Sequence, residues 1–423
     1  MPSASSAPTL PFLERLLDGE KVEWKTLGEV FHTRNGYTPS KANEEFWTDG
    51  TIPWFRMEDI RANGRILYDS ALHITPQAVK RNGLFKANSI ILATSATIGE
   101  HALLLQDALT NQRFTNFEIK EELKNILLPK FAFYYFFIID EWCKKHTIIG
   151  NFPSVDTQQL MELPFPIPPL RVQARIVDIL DKFTQLETEL EAELEARNKQ
   201  YDFYRNRLLD FALRDDLKGQ VEWKTLGEVA ELVRGNGLSK KDFSEFGVPA
   251  IHYGQIYTYY GNETEETLSF VSPETAKKLQ KVYPGNIVIT NTSENVEDVC
   301  KAVLYSGNVE AVTGGHASII RTKDCILPKY LVYYTLTLDF FTQKKRLAKG
   351  TKVIDVSAKD LAKIIIPLPP LSEQRRIAEI LDRFDTLTNS ISEGLPREIA
   401  LRRKQYEYYR DALLRFPPPA PTA

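Results

Sequence analysis

Leu163-Pro164-Phe165-Pro166-Ile167-Pro168-Pro169-Leu170 stands directly before a long charged segment that ends near Phe211. A similar stretch, Ile366-Pro367-Leu368-Pro369-Pro370-Leu371, stands before a second charged segment that ends near Phe416. Both segments finish in runs rich in Tyr, Arg and Leu. A proline-rich lead and a charged segment, occurring twice in the same order, indicate a chain of two similar halves.

Both charged segments carry apolar residues at helical spacing. The first stripe is Ile176, Leu180, Phe183, Leu186 and Leu190; its counterparts, each 201 positions later, are Ile377, Leu381, Phe384, Leu387 and Ile391. Intervals of three and four place such residues on one face of a helix. Because polar residues fill most other positions, the stripe is narrow and favours a coiled-coil contact, although a helix lying on a globular core is the alternative. We expect a rod of roughly 40 residues, on the order of 60 Å long.

The duplication extends through the rest of the chain. The nine residues from Val22 to Val30 recur unchanged from Val221 to Val229. Leu128-Pro129-Lys130 likewise recurs as Leu327-Pro328-Lys329. A period of about 200 residues is far too long for a solenoid repeat, so it indicates duplication of a whole domain followed by a helix.

Between these matching segments the two halves differ. Residues 31–127 share little with residues 230–326, although both contain strand-like runs, at 89–94 and 286–290. We therefore predict two α/β or α+β domains on a common scaffold. A fixed frame with a variable middle is expected if the two halves face different targets.

The second charged segment contains four additional residues. Tyr201, Tyr204, Leu208 and Phe211 match Tyr406, Tyr409, Leu413 and Phe416 at an offset of 205 rather than 201. The addition lies near residues 394–396, and we expect Pro396 to interrupt the second helix there. An insertion of four residues locally unwinds a coiled coil without removing its apolar seam.

Composition sets the limits of the functional interpretation. A chain of 423 residues predicts at least two domains, and a net charge of −3 means that any nucleic-acid contact must use local basic patches. Three unpatterned cysteines and no recognisable secretory signal predict a reducing cytoplasm. No apolar run is long enough to cross a membrane. Residues 417–423, rich in proline, are predicted to be a disordered tail.

Motifs for catalysis are missing from the sequence. It contains no P-loop, no GxSxG or HExxH motif and no methyltransferase motif, and its six histidines lack metal-ligand spacing. Glu23-Trp24-Lys25 and Glu222-Trp223-Lys224 fit the E-x-K fragment of many nucleases, but a half-buried Trp on a strand is the simpler interpretation. We therefore predict no catalytic residue, no metal site and no cofactor site in this chain.

Several polar and aromatic clusters are candidate DNA contacts. Arg reads guanine and Asn or Gln reads adenine in the major groove, and repeated lysines favour phosphate contact. Ordinary loop chemistry is the alternative for the polar clusters, and a solvated helix face is the alternative for the lysine pairs that precede Gly150 and Gly350. The candidates in the first half are Arg34, Asn35, Tyr37, Thr38, Arg56, Thr94, Ser95, Thr97, Asn111, Gln112, Arg113, Lys144 and Lys145. Those in the second half are Arg234, Asn236, Lys240, Lys241, Tyr253, Gln255, Thr290, Asn291, Thr292, Ser293, His316, Lys344 and Lys345.

Taken together, these motifs make the chain resemble the specificity subunits of type I restriction–modification enzymes. The resemblance spans nearly the whole chain. It rests on the duplicated Trp-Lys-Thr-Leu-Gly-Glu start, on Ile52-Pro53-Trp54-Phe55-Arg56 and on the two Pro-Pro-Leu leads. It also rests on Gln173-Ala174-Arg175-Ile176, on Glu373-Gln374-Arg375-Arg376-Ile377, and on the Lys-Gln-Tyr runs at 199–201 and 404–406.

The resemblance implies an architecture and a set of partners. Two target-recognition domains, separated by two long helices in an antiparallel coiled coil, would each read one half of an asymmetric DNA site. Two methyltransferase subunits would dock on the helices and recruit restriction subunits. S-adenosylmethionine, and ATP with Mg, would belong to those partner subunits rather than to this chain. We accordingly divide the chain into domains at 1–165 and 213–366, helices at 166–212 and 367–416, and the tail.

A function of a different class is also compatible with the sequence. The chain could be a non-enzymatic duplicated scaffold that binds protein or polysaccharide and pairs with itself through its helices. Binding of the isolated chain to duplex DNA, and the salt dependence of that binding, would distinguish the two functions.

Overall fold

A computed structural model describes residues 11–148, 153–390 and 392–417. Ile391, Gly150 and all but the first residue of the predicted tail lie outside these ranges. The chain forms two compact units. The first contains residues 1–188 and 401–423, and the second contains residues 189–400.

The helices range from single turns to one very long helix. Those of the first half are α1 (Pro11–Leu17), α2 (Leu27–Val30), α3 (Met57–Asn63), α4 (Pro129–Lys145), α5 (Thr157–Met161) and α6 (Leu170–Leu209). Those of the second half are α7 (Leu226–Val229), α8 (Tyr253–Thr258), α9 (Pro273–Ala276), α10 (Pro328–Tyr334), α11 (Leu338–Leu347), α12 (Ala358–Leu361), α13 (Leu371–Asn389) and α14 (Gly394–Leu413).

The strands are short and form several small sheets. Those of the first half are β1 (Glu23–Thr26), β2 (Phe31–Asn35), β3 (Ile52–Phe55), β4 (Ile66–Leu67), β5 (His73–Ile74), β6 (Ile90–Ala93), β7 (His101–Leu104), β8 (Leu109–Thr110), β9 (Phe114–Ile119), β10 (Thr147–Ile148), β11 (Ser154–Val155) and β12 (Pro164–Ile167). Those of the second half are β13 (Glu222–Thr225), β14 (Ala230–Arg234), β15 (Phe243–Ser244), β16 (Val248–Ile251), β17 (Glu263–Thr264), β18 (Ser269–Val271), β19 (Gln280–Val282), β20 (Ile287–Thr290), β21 (Thr292–Ser293), β22 (Ala302–Tyr305), β23 (Ala311–Thr313), β24 (Ala317–Thr322), β25 (Ile354–Asp355) and β26 (Ile365–Leu368).

The two halves share the topology of one sheet and differ in the number of strands in a second. A five-stranded sheet has the order β2-β9-β6-β7-β4 in the first half and β14-β24-β20-β22-β17 in the second. A second sheet has the order β5-β3-β8 in the first half and β15-β18-β16-β23-β19 in the second. The strands predicted at 89–94 and 286–290 are confirmed as β6 and β20, the central strands of the five-stranded sheets. The mixed α/β domains on a common scaffold are likewise confirmed.

The proline-rich lead of each helix pairs with the start of its own half. β1 runs antiparallel to β12 with Trp24 opposite Pro166, and β13 runs antiparallel to β26 with Trp223 opposite Pro367. Proline has no N–H to donate, and a two-stranded pair tolerates it because each strand is an edge strand with one unpaired side. Both Glu-Trp-Lys segments therefore lie on strands, and Trp24 is half-buried as the simpler of the two interpretations expected, whereas Trp223 is 53% exposed. Each half is closed by this pairing just before its long helix begins.

The core of each half extends onto the base of its long helix. In the first unit, Ile176 and Leu180 of α6 are fully buried in one cluster with the aromatic face of α4. In the second unit, Ile377 and Leu381 of α13 are fully buried against α10. Burial of such side chains stabilises the folded state by about 1.5–3 kcal/mol each, so helix and domain form one packed body in each half.

The predicted long helix and its antiparallel packing are confirmed. α6 runs without interruption for 40 residues. In the first unit, Phe183 stacks on Tyr409 with ring centroids 5.6 Å apart, and Glu187 pairs with Arg403. In the second unit, Tyr204 of α6 stacks on Phe384 of α13, again at 5.6 Å. In the first unit the order of the contacts along one helix reverses along the other, as an antiparallel pair requires.

The break in the second long segment lies earlier than the sequence suggested. α13 ends at Asn389 and α14 begins at Gly394, so Pro396 lies in the first turn of α14. Proline is tolerated there because the first N–H groups of a helix have no intrahelical acceptor. The prediction that Pro396 itself interrupts the helix was therefore wrong, although the interruption falls beside it.

Candidate nucleic-acid interface

Two neighbouring parallel strands end at one edge of the first domain. β3 and β8 run parallel, with Phe55 opposite Thr110. Arg56 follows the first of these strands and Asn111 follows the second. The N–H of Asn111 donates to the carbonyl oxygen of Phe55 over 3.3 Å. The topology therefore brings together candidates that are more than fifty residues apart in the sequence.

The loop after β2 reaches the same edge. The N–H of Tyr37 donates to the carbonyl oxygen of Thr110, and Thr38 Oγ1 donates to Gln112 Oε1 over 2.7 Å. Gly36 allows this approach, because a Cβ at that position would lie 2.2 Å from Thr110 Oγ1. A side chain at position 36 would therefore push the loop away from the strand ends.

A chain of polar contacts continues from this loop to β6. Thr115 Oγ1 lies 2.9 Å from Asn35 Oδ1 and 2.9 Å from Thr94 Oγ1, and the N–H of Thr94 donates to the carbonyl oxygen of Arg113. Arg113 itself is exposed, and its side chain makes no hydrogen bond or ion pair with any residue that the structure describes. Its guanidinium is therefore available to a ligand at this edge.

The second domain has the equivalent edge with different side chains. β16 and β23 run parallel, with Ile251 opposite Thr313. His252 and Tyr253 follow the first strand, and Gly314, Gly315 and His316 follow the second. The rings of Tyr253 and His316 lie with centroids 4.8 Å apart, and His316 is exposed. An aromatic and imidazole pair thus stands where the first domain has Arg56 and the segment from Asn111 to Arg113.

The neighbouring loop of the second domain approaches in the same way. Gly235, which lies 199 positions after Gly36, carries an N–H that donates to the carbonyl oxygen of Ala317. A Cβ on Gly235 would lie 2.1 Å from the carbonyl oxygen of Gly314. His316 Nδ1 and Thr292 Oγ1 lie 2.9 Å apart, which joins the end of β23 to the segment after β20. The two edges therefore share a backbone arrangement and differ in their side chains.

Two candidates of the first half are engaged within the protein. The Arg34 guanidinium donates to the carbonyl oxygens of Asn82, Gly83 and Leu84, and burial lowers its pKa. Tyr37 Oη donates to the carbonyl oxygen of Ala78 and accepts from the N–H of Lys80. Both side chains hold the loop at residues 78–84, so they shape the domain rather than present free donors.

Three candidates of the second half are similarly engaged. Arg234 donates to the carbonyl oxygen of Gly315 and pairs with Asp355 at 3.4 Å. Asn236 donates to the carbonyl oxygen of Lys278 over 2.6 Å. Gln255 donates to Ser269 Oγ over 2.6 Å. Arg234 and Asn236 remain exposed, so only Gln255 is turned inward by its partners.

The threonine and serine candidates divide by burial. Thr290 and Asn291 are fully buried, and Asn291 donates to the carbonyl oxygen of Val356, so these two lie behind the edge. Ser95, Thr97 and Ser293 are half-buried in the segments that follow β6 and β20. Within the part of the chain that the structure describes, none of these three forms a hydrogen bond with Arg113 or His316.

The lysine candidates lie in different environments. Lys145, Lys240, Lys241 and Lys345 are exposed, and Lys144 pairs with Glu141 at 2.8 Å. Lys344 is buried, and its Nζ donates to the carbonyl oxygens of Glu297 and Val299. Burial also lowers the pKa of Lys344. Lys344 therefore holds a loop of its own domain in place. It is neither available for a phosphate contact nor part of a solvated helix face.

A profile of the type I restriction modification DNA specificity domain matches this chain twice, at residues 19–197 and 219–401. The chain belongs to this family. The two matches correspond to the two halves, each with its domain and much of its long helix. The resemblance found in the sequence is thus confirmed.

Full-length members of the family align with nearly all of the chain. The specificity subunit of the type I restriction enzyme EcoprrI from Escherichia coli is 38% identical over 405 residues, which cover 91% of this chain and 92% of that protein. The EcoR124I/EcoR124II specificity subunit from Escherichia coli is 32% identical, with coverage of 97% and 98%.

Solved structures of the family share the fold. A chain described in work on complex assembly and conformational transition of the type I R-M system superposes with a TM-score of 0.60 at 18% identity, covering 94% of this chain and 98% of that one. The HsdS subunit from Thermoanaerobacter tengcongensis gives a TM-score of 0.52 at 18% identity, covering 94% and 96%. At such identities the likeness concerns the fold alone.

Sequence reasoning missed two features of the edge in this family member. His252 follows β16 and lies with its ring 4.6 Å from that of Tyr253, and burial lowers its pKa. Gly36 and Gly235 are equivalent in the duplication, since each lies six residues after the end of the unchanged segment, at Val30 and Val229. Carrying the offset of 199 six residues further would have identified them.

No described helix is both long and apolar enough to cross a membrane.

Proposed function

We propose that this chain is the DNA-specificity subunit of a type I restriction–modification complex, and that each domain reads one half of a bipartite, asymmetric DNA site. The observation that carries the proposal is the shared edge with unlike side chains. Arg56, Gln112 and Arg113 offer donors and amides suited to purine edges, whereas Tyr253 and His316 offer rings and an imidazole. Two readers with different chemistry require two different half-sites.

Other parts of the chain would position the DNA and set the distance between the two domains' half-sites. Exposed lysines such as Lys145 and Lys345 would contact phosphates and position the duplex without reading it. The long helices would set the separation of the half-sites. The chain itself would be non-catalytic and would work in a reducing cytoplasm. S-adenosylmethionine, and ATP with Mg, would act on partner methyltransferase and restriction subunits.

Duplicated aromatic pairs on the helices support the docking of two methyltransferase subunits. Phe203 and Tyr204 of α6 have ring centroids 5.4 Å apart, and Tyr408 and Tyr409 of α14 also lie 5.4 Å apart. Phe203 is 56% exposed and Tyr408 is 61% exposed. Aromatic side chains that are exposed in a free protein are frequent anchors of interfaces. Two equivalent anchors fit two copies of one partner.

Methylome sequencing tests the DNA-reading function. The chain, co-expressed with its methyltransferase subunit, should direct adenine methylation to one bipartite site with two unlike half-sites and a fixed gap. A single undivided site, or methylation that does not depend on this chain, would contradict the proposal.

Native mass spectrometry tests the docking: Phe203→Ala and Tyr408→Ala should each remove one of two methyltransferase subunits, whereas the control Phe246→Ala should remove neither.

A further inference from the structure

A buried glutamine joins the first domain to the beginning of α6. Gln173 is fully buried in the first turn of that helix. Its Oε1 accepts from the N–H of Leu128 over 2.8 Å, and its Nε2 donates to the carbonyl oxygens of Ile126 and Pro168 over 2.8 and 2.7 Å. One amide thus connects the segment before α4, the proline-rich lead and the long helix.

The second half repeats this arrangement atom for atom. Gln374, in the first turn of α13, is fully buried. Its Oε1 accepts from the N–H of Leu327 over 2.9 Å, and its Nε2 donates to the carbonyl oxygens of Cys325 and Pro369 over 3.1 and 2.9 Å. The donor and acceptors on the main chain would otherwise be buried without partners, which is costly. An amide side chain is suited to this position because it both accepts and donates.

A second set of contacts between domain and helix lies eight residues further along each helix. We call the glutamine contacts and this second set the two ties of each half. Asp181 accepts from Tyr134 Oη over 2.6 Å and from Lys130 Nζ over 2.6 Å, both on α4. In the second half, Asp382 accepts from Tyr333 Oη and pairs with Lys329 at 3.0 Å. Burial, and then the hydrogen bond to the carboxylate, raise the pKa of both tyrosines, so the hydroxyls stay protonated donors.

Two ties on one helix fix the direction of a domain as well as its position. Eight residues correspond to about 12 Å along a helix. If loss of one tie allows about 1 Å of movement, the domain can tilt by about 5°. A surface about 30 Å away, across a domain of this size, then moves by about 2.6 Å. That displacement approaches the spacing of about 3.4 Å between successive base pairs.

We infer that Gln173 and Gln374, each together with its aspartate tie, are positioning residues that determine how strictly the complex holds the gap between its half-sites. This inference rests on the proposed function. The paired ties lie at the joint between domain and helix in both halves and are separate from the strand-end edges. Removing the ties at one joint therefore allows the domain to change its orientation relative to its helix, and leaves the residues that contact bases unchanged.

The test measures gap length in the methylome of the full complex. The variants are Gln173→Met, which keeps the side-chain shape without its polar atoms, and the double variant Gln173→Met with Asp181→Ala. The equivalent pair in the second half is Gln374→Met and Asp382→Ala. We expect the double variants to increase at least tenfold the share of methylated sites whose gap is one base pair longer or shorter, with both half-sites unchanged.

A core variant controls for simple destabilisation. Leu92→Ala removes a fully buried side chain of β6 that takes part in neither tie. It should lower the melting temperature and total methylation without changing the gap. Reduced methylation in the glutamine variants at an unchanged gap, or a relaxed gap in Leu92→Ala as well, would overturn the inference. If the double variant does not fold, Gln173→Met alone must still show the shift. A wild-type complex without any fixed gap would instead overturn the proposed function.

Discussion

Lengthening α6 should change the gap between the half-sites and leave the half-sites themselves unchanged. The variant we propose duplicates Ala192-Glu193-Leu194-Glu195 in place, which extends a helix that already runs for 40 residues. A period of four keeps the apolar stripe on nearly the same face, and such an insertion unwinds a coiled coil only locally. The insertion point is more than ten residues from the buried base of the helix at Ile176 and Leu180.

The size of the change follows from helix geometry. Four residues add about 6 Å of length and rotate the chain by about 400°, which is about 40° beyond a full turn. A rise of about 3.4 Å per base pair converts this length into about two base pairs. A DNA turn of about 10.5 base pairs converts the rotation into about one. The gap should therefore increase by one or two base pairs.

Methylome sequencing of cells that express the variant complex measures this directly. A matched control carries the same four residues after Phe246, an exposed loop position of the second domain, and should keep the original gap. Altered half-sites with an unchanged gap in the α6 variant would refute the spacer role of the helix. If the variant abolishes all methylation, the melting temperature of the purified chain will show whether it still folds. A variant that folds but directs methylation to no site at any gap would also contradict the reasoning.

Three further substitutions test individual residues. Arg113→Ala should relax only the first half-site, by the roughly 1–3 kcal/mol that a bidentate base contact contributes, as read from the methylome; an equal loss on all DNA would make Arg113 a phosphate contact. Lys344→Met should destabilise the second domain by about 1–3 kcal/mol in urea unfolding, because two buried carbonyl oxygens lose their donor, yet leave the salt dependence of DNA binding unchanged. Hydrogen bonds from Lys349, Lys363 and Ser357 lower the pKa of Asp360 below its ordinary value of 3.8. Because its pKa is lower in the folded state, ionised Asp360 stabilises the fold at pH values above that ordinary value. Asp360→Asn should therefore have a smaller free energy of unfolding than the wild type at pH 7, and the difference should shrink as the pH falls below about 4. A difference that persists undiminished at low pH would contradict this prediction.

The large features of the fold could be predicted because they depend on repeated local patterns. Spacing of three and four over many residues defines a helix, and an unchanged segment such as Val22 to Val30 marks a duplicated start. The predicted break at Pro396 failed because a proline is as compatible with the first turn of a helix as with its end. The residues alone did not indicate on which side of Pro396 the helix would begin.

The functional edge could be predicted only in part, because side-chain direction depends on tertiary partners. Lys344 and Lys345 are adjacent and look alike in the sequence, but one donates to buried carbonyl oxygens and the other is exposed. Arg34 is similarly used by a loop about fifty residues away. Arg56 and Asn111 lie at the same edge only because β3 and β8 are parallel neighbours, and no local pattern indicates that pairing.

The separation of joint and edge explains how one chain can carry two different readers. The joints use the same residue types in both halves, with Gln173 matching Gln374 and Asp181 matching Asp382, and they lie against the packed base of each helix. The edges use exposed side chains at strand ends, where a substitution alters few buried contacts and costs little stability. Side chains at an edge can therefore change without altering the direction in which the domain is held. For the same reason, we expect a change of specificity to require substitutions between β2 and β9, or between β14 and β24, and none in the helices.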